Sequence, residues 1–209
     1  DVMDVTQLML SLGGGKTKKW RGQARGTFHR QYSREQFKAM SESGLTTVMF
    51  GVESGSQRML DFMVKKVRRE DYIESAKICA EFGITMYNSF MFAMPNENID
   101  DLKQSISLMH ELKKVSPKYI SNYNSVFVPL PGTKMMKDAV ERGYKPPKTL
   151  SEWANRPFSS RFEEREDINW MGPIHKEYVK IYNEEFPNYK HPYELENEGK
   201  RINPLAAPM

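Results

Sequence analysis

The stretch Leu45–Leu60, LTTVMFGVESGSQRML, decides how the chain folds. LTTVMFGV is β-branched and apolar, as in a buried strand, GVESGS is a small-residue turn, and SQRMLDFM opens a helix. Glu53 stands where the strand gives way to the turn. Glutamate is poor strand material, and a charge at the end of a buried strand costs free energy unless it has a partner. A strand that runs straight into a helix is also half of a β–α–β unit, so the next question is whether the unit recurs.

It does recur. Before it, Val5, Leu8, Met9 and Leu12 have helical spacing up to the glycine run 13–15, and KKWRGQAR reads as a short strand. Ser33 with Gln36 forms a capping box for a helix through Phe37 and Met40 that stops at Gly44. After the short helix SQRMLDFM comes a longer one, RREDYIESAKICAEF, closed by Gly83. ITMYNSFMFAMP follows as a nearly continuous apolar strand, as expected for one covered on both faces. Asn98 caps a helix with Asp101 at its third position, running to Val115 before Pro117. YISNYNSVFV is a fourth strand, PLPGT a turn, and KMMKDAVER a helix ended by Gly143. Strands alternating with helices at this spacing predict right-handed crossovers and a parallel sheet of about four βα units over residues 1–143, an α/β fold. Residues 144–209 form an irregular, partly helical extension, with Trp153, Phe158, Phe162 and Trp170 as isolated anchors. One helix is predicted from His175 to Glu185, with Tyr178, Ile181 and Tyr182 on one face, and the tail NEGKRINPLAAPM reads as disordered or partner-bound.

Composition narrows the chemistry. The 209 residues are 39% hydrophobic and 28% charged, with mean hydropathy −0.67, enough for one domain with a real core. No apolar run approaches the roughly 20 residues of a membrane span, and no leader pattern opens the chain, so a cytoplasmic protein is expected. The first residue is Asp1, which suggests a fragment or processed form. The net charge of +4 and pI of about 9.0 come from bases scattered among 27 acids, so KTKKWR and KKVRRED read as solvated surface and nucleic acid is not the expected partner. With one cysteine, Cys79, set on the apolar side of a helix, neither a disulfide nor a thiolate metal site can be built from this chain alone.

Two familiar patterns fail on inspection. LSLGGGKT ends like a phosphate-binding loop, but Leu10 holds the place of the required first glycine, and a helix precedes the loop where a strand is needed. His29, His110, His175 and His191 are far apart and match no metal spacing. The strand ends remain. Parallel α/β sheets bind ligands at the carboxyl ends of their strands, and here those ends carry Arg25, Glu53, the turn MPNEN and the turn PLPGT. By the period of two, Arg21, Gln23 and Arg25 share one face of the first strand, and Met49, Gly51 and Glu53 share one face of the second, with Gly51 leaving room for a ligand. A polar ligand would explain polar residues pointing inward; the alternative is an internal Arg–Glu pair with no ligand.

WRGQAR, GLTTVMFGVESGSQRML, the strand FMFAMP with its NEN turn, and VPLPGT, in this order and spacing, resemble the second half of the radical S-adenosylmethionine (SAM) core. The closest likeness is to the class that joins this core to a cobalamin-binding domain, and EWANRPF resembles that class as well. The resemblance implies a partial β/α barrel of six strands in the complete enzyme, in which a 4Fe-4S cluster binds SAM and cleaves it reductively, with or without cobalamin, for methyl transfer or rearrangement. Carried over by position, it implies that Glu53, with Ser54 beside it, faces the ribose or aminoacyl part of SAM. Gln23 and Arg25 would line the cofactor or substrate side, and the strand of Ser89, Met91 and Ala93 would pass beneath the adenosyl group. Val128 would touch the adenine. Tyr87, Tyr123 and Asn124 could point into the barrel mouth.

The departures are as informative. The family's CxxxCxxC loop and its glycine-glycine-glutamate strand are absent here, so this chain supplies no cluster ligand. The usual PGET turn reads PNEN with Glu97 keeping the acid, and strand glycines are replaced by Asn88 and Ala93. The expectation is a fragment of a cobalamin-type radical enzyme, inactive alone, whose missing N-terminal half supplies the cluster loop. The alternatives are a split enzyme that takes that half from a second chain, and a non-catalytic half-barrel that serves as a binding or scaffold module. An open half-sheet would leave the edge of its first strand, KKWRGQAR, unpaired.

Overall fold

A computed structural model describes residues 1–116, 118–155 and 168–185, with backbone alone at 121–125 and 181–185. Phe158, Phe162 and the C-terminal tail lie outside the described residues, as do the side chains of Tyr123, Asn124, Ile181 and Tyr182. Four strands, β1 (Trp20–Ala24), β2 (Leu45–Glu53), β3 (Thr85–Phe92) and β4 (Ile120–Val126), form one sheet in sequence order, and every neighbouring pair is parallel. Eight helices are described: α1 (Val2–Ser11), α2 (Arg34–Glu42), α3 (Gln57–Phe62), α4 (Arg69–Glu81), α5 (Ile99–Val115), α6 (Lys134–Glu141), α7 (Leu150–Ala154) and α8 (Pro173–Glu185). The α/β class and the parallel sheet are as the alternating pattern predicts. Sequential parallel strands joined by crossovers of one hand place their helices on the same side of the sheet, as in a barrel wall.

Burial follows that geometry. Val48, Phe50 and Val52 of β2 and Met86, Phe90 and Phe92 of β3 face the helices and are buried with Phe37, Met40, Tyr72, Ala76, Leu102, Leu108 and Leu112. On the opposite face Met49, Gly51, Ser89 and Met91 are half-buried and Arg21 and Gln23 exposed. β3 was expected to be covered on both faces; among the described residues only Tyr87 is buried on its open face. Asn88 is buried on the helix side, with no hydrogen-bond partner for its amide among the described residues.

The caps show why the helices begin where they do. Ser33 and Gln36 close the capping box on α2, and Asn98 and Asp101 close the one on α5. The glycine run after α1 forms a 3-10 turn against the end of α2, where a Cβ on Gly14 would lie 2.6 Å from the Glu42 carbonyl, so it is a packed turn and no phosphate loop. Three expectations shift at their edges. β3 stops at Phe92, because Ala93 adopts a left-handed conformation (φ 63°) that ends the pleat and removes it from the strand with Ser89 and Met91. Residues 150–154 form the short helix α7 where only irregular chain was expected, Thr149 capping it through the Glu152 amide. A 3-10 turn at Gly26–Arg30 follows β1. Ile168, Met171 and Val179, from beyond the barrel-like segment, join the same buried cluster as the sheet.

Candidate functional site

The turn Ser54–Ser56 is fixed by contacts with α5, some fifty residues away in sequence. Ser54 Oγ lies 3.2 Å from Ser105 Oγ, the Gly55 amide donates to Ser105 Oγ at 2.9 Å, and Ser56 Oγ donates to Asp101 at 2.6 Å. A Cβ on Gly55 would fall 2.4 Å from the Gln104 carbonyl oxygen and 2.6 Å from Ser105 Cα, so only glycine lets the turn approach the helix backbone. Arg58 then reaches across to the Asp101 carboxylate and to the Asn96 carbonyl, the latter at 2.6 Å. Burial works against ionisation of Asp101, yet the bonds from Arg58, Ser56 and the Asn98 amide outweigh it and hold the carboxyl below its ordinary value. The SGS of GVESGS is therefore structural cement, and it sets the position of the residue just before it.

That residue, Glu53, is the last of β2 and sits in the left-handed region (φ 65°), with its carboxylate folded back toward Gly51. A Cβ on Gly51 would come within 2.6 Å of Glu53 Oε1, so the glycine makes room for the acid. Lys65, in the loop between α3 and α4, donates to the Gly51 carbonyl at 2.8 Å and lies 3.8 Å from Glu53 Oε1. Burial pushes the Glu53 carboxyl above its ordinary value, and Lys65 pulls it part of the way back. Strain concentrates here. The four non-glycine residues with left-handed backbone among the described residues are Glu53, Val64, Lys66 and Ala93, at the ends of β2 and β3 and in the α3–α4 loop. Such conformations cost on the order of 1–3 kcal/mol each and persist where the surroundings over-determine them.

Two depressions meet at Gly51. One, of about 230 Å³, lies on the open sheet face and is lined by Gln23, Met49, Gly51, Tyr87 and Ser89. The other, of about 430 Å³, lies at the strand ends between Arg25, Gly51, the 64–67 loop and Tyr72. Of the sequence candidates, Gln23 and Ser89 line the first depression and Arg25 the second, while Glu53 lines neither and lies beside Gly51, which the two share. Ser54 is fully buried and committed to Ser105. Met91 belongs to a separate apolar cluster with Met59, Met94, Phe127 and Trp170, and Val128 is half-buried beyond the end of β4. Lys65 is the residue the sequence reading passed over as surface charge; its place twelve residues after Glu53, past a short helix, is the only signal it left.

Other polar groups are structural. His29 Nδ1 lies 3.3 Å from Ser75 Oγ, and its Nε2 3.7 Å from Asp71, but Ser75 is buried and donates to the Gly26 carbonyl, so this trio ties α4 to the turn after β1. Cys79 is buried and its thiol is pushed up to about 12 by burial. Among the described residues no group of three or more His, Cys, Asp or Glu is placed to hold a metal ion, and no helix is long and apolar enough to cross a membrane.

A parallel sheet in strand order with helices packed against it is the arrangement of a partial β/α barrel. Residues 6–109, just under half of the chain, match the Radical SAM superfamily. The chain is 32% identical over 103 residues to an uncharacterized methyltransferase of Pyrococcus horikoshii, covering 49% of this chain and 21% of that protein. It is 25% identical over 115 residues to the cytidylyl-2-hydroxyethylphosphonate methyltransferase of Streptomyces wedmorensis, covering 52% of this chain and 21% of that enzyme. The chain thus spans about a fifth of the length of these two curated relatives. Its fold is similar to the radical SAM methyltransferase TsrM of Kitasatospora setae, a structure with cobalamin and a 4Fe-4S cluster bound, with TM-score 0.52 and 15% identity over 68% of this chain and 27% of that one.

Proposed function

We propose that this chain contributes the carboxyl-terminal strands of a radical SAM barrel of the cobalamin-associated class, and that these strands hold SAM for methyl transfer. The observation that carries the reading is the Glu53–Lys65 pair over Gly51. A carboxylate and an ammonium 3.8 Å apart complement the two charges of an amino-acid zwitterion, one partner taking the α-ammonium and the other the α-carboxylate. The half-buried position keeps water from screening that exchange. Gln23 and Ser89, on the open face below, offer hydrogen bonds to ribose hydroxyls. Met91, two residues beyond Ser89 on the same strand face, and Val128 would meet the adenosyl group from the apolar cluster that Met91 shares with Met59 and Phe127.

The residues present fit SAM and do not fit an iron–sulfur cluster. The single thiol is buried and held protonated, so the thiolates must come from a segment or chain outside these 209 residues. A cluster bound by such a segment would supply the electron that cleaves the sulfonium bond.

The test is SAM binding to the purified chain by calorimetry. Glu53→Gln and Lys65→Met should each weaken binding about 10- to 100-fold, the worth of one charge-assisted hydrogen bond. Anaerobic reconstitution with iron and sulfide should give no thiolate–iron absorption. SAM affinity unchanged in both variants would refute the assignment.

A further inference from the structure

The cavity of about 430 Å³ at the ends of β1 and β2 has a composition that SAM binding leaves unexplained. Its walls are Ala24, Arg25, Gly26, Gly51, Val64, Lys65, Lys66, Val67 and Tyr72, three cations with no acid among them. Lys65 is engaged with Gly51 and Glu53. Arg25 and Lys66 have neither an ion pair nor a side-chain hydrogen bond among the described residues, whereas Arg30, Arg34, Arg58 and Arg69 each have a carboxylate partner. The Arg25 and Lys66 side chains are both exposed, so their mutual repulsion is screened, but together with Lys65 they surround one cavity whose walls carry no acid, and this gives it a positive potential that an anion complements.

The backbone is built to hold it. Val64 and Lys66, on either side of Lys65, are both left-handed (φ 55° and 54°), although neither is glycine. The loop is pinned by the Val64 amide on the Asp61 carbonyl at 2.9 Å and the Lys65 amide on the Leu60 carbonyl at 3.0 Å. On the other wall, Gly26 packs so closely on the Tyr72 ring that a Cβ would lie 2.7 Å from it, which fixes the chain just after Arg25. Strain on one wall and close packing on the other hold the two free cations over a common space.

We propose that this cavity seats a phosphoryl or phosphonyl group of the substrate, gripped by Arg25 and Lys66. The proposal rests on the functional reading above, since it places the substrate's anion beside the SAM site. A dianion with three acceptor oxygens matches the fork of Arg25 with the point charge of Lys66 better than a carboxylate does. A wider groove, of about 690 Å³, continues from Lys66 and Val67 past Arg68 to Arg30 and gives the rest of the substrate a path out. Asp61, Glu70 and Asp71 are interspersed with Arg30, Lys66, Arg68 and Arg69 in that groove, so it offers no unbroken basic track, which favours a small phosphorylated molecule over nucleic acid.

The test is titration of the full chain at physiological salt, with methylphosphonate and inorganic phosphate as probes and acetate and a short single-stranded oligonucleotide as comparators, followed by calorimetry. Phosphonate and phosphate should bind, acetate at least about tenfold more weakly. Arg25→Gln and Lys66→Gln should each weaken phosphonate binding about tenfold or more, and Lys66→Glu should abolish it. Lys66 is exposed, so its variants should retain the far-ultraviolet spectrum and Tm of the parent. Phosphonate binding that is absent, or indifferent to both substitutions, overturns the proposal, as does oligonucleotide binding tighter than phosphonate at this salt. SAM binding without phosphonate binding sinks this inference alone. Phosphonate binding without SAM binding sinks the functional reading and leaves the anion site standing.

Discussion

Glu97 makes stability depend on pH in a direction opposite to that of most carboxylates. Its carboxyl accepts the Ala93 amide at 2.7 Å through one oxygen, while the other is buried with no partner among the described residues. Burial, opposed by the Ala93 bond and reinforced by the Asp101 charge, raises its pKa to about 8. In the unfolded chain the same group titrates near ~4.3. The native state therefore keeps a proton that the unfolded state has lost. The stability from Glu97 is fully present below the unfolded pKa and is lost as pH rises toward 8. At about 1.4 kcal/mol per pH unit over roughly three and a half units, the ceiling is about 5 kcal/mol, and relaxation around the ion brings the expected loss to about 2–3 kcal/mol. Glu97→Gln keeps the acceptor for Ala93 and cannot ionise. Urea denaturation of both proteins at about pH 5.5, 7 and 8.5 isolates the effect, because every other titrating group cancels in the difference. The two should agree within about 1 kcal/mol at the lowest pH, and the variant should gain steadily above it. A difference that stays constant to within about 0.5 kcal/mol across the range would refute the reasoning.

Further outcomes follow from the same contacts. Gly55→Ala forces a methyl group into the backbone of α5 and should cost about 1–3 kcal/mol, read as a lowered Tm; an unchanged Tm would mean that the turn is free to move. Arg58→Ala removes the half-exposed cation from the buried Asp101 carboxylate, which keeps its Ser56 and Asn98 hydrogen bonds, and should cost about 1–3 kcal/mol in denaturant unfolding, with Arg58→Lys recovering part of it. Cys79 should resist a thiol reagent at mildly alkaline pH in the native protein and react at once in denaturant; rapid native labelling would contradict its burial and its thiol pKa of about 12.

What could be read from the sequence, and what could not, divides along the range of the interaction. LTTVMFGV, the two capping boxes and the closing glycines are local signals, and the structure places β2, α2 and α5 where those signals put them. Glu53 was legible as an oddity for the same reason: a carboxylate at the end of an apolar strand conflicts with its neighbours. Lys65 was not, because its meaning depends on a left-handed turn at Val64 that brings it back over Gly51, and no side-chain pattern in KKVRRED encodes that turn. Ser54 and Gly55 sit beside Glu53 in the chain, but their partners are on α5, a contact visible only after folding. Trp170 looked like an isolated anchor, and the structure gives it a partner at the end of β3, its indole nitrogen donating to the Ala93 carbonyl at 3.1 Å.

That last bond bears on why β3 ends as it does. Ala93 is left-handed without being glycine, at a cost of about 1–2 kcal/mol, and each of its backbone polar groups is held by a residue outside the strand, the amide by Glu97 and the carbonyl by Trp170. Two hydrogen bonds, each worth about 0.5–1.5 kcal/mol net, are enough to offset that strain and would be lost if the residue relaxed to an extended conformation. The end of β2 follows the same logic with different parts. Glu53 is left-handed, Lys65 caps the carbonyl two residues before it, and the Ser54–Ser105 contact anchors the residue after it. Both central strands thus stop abruptly on a strained residue clamped from both sides. A strand that merely frayed would leave its last side chains mobile, whereas this arrangement fixes Glu53, level with Phe90, and the Ala93 turn three residues further along, both at the sheet's carboxyl edge. Rigid placement of polar groups at that edge is what recognition of a small ligand requires.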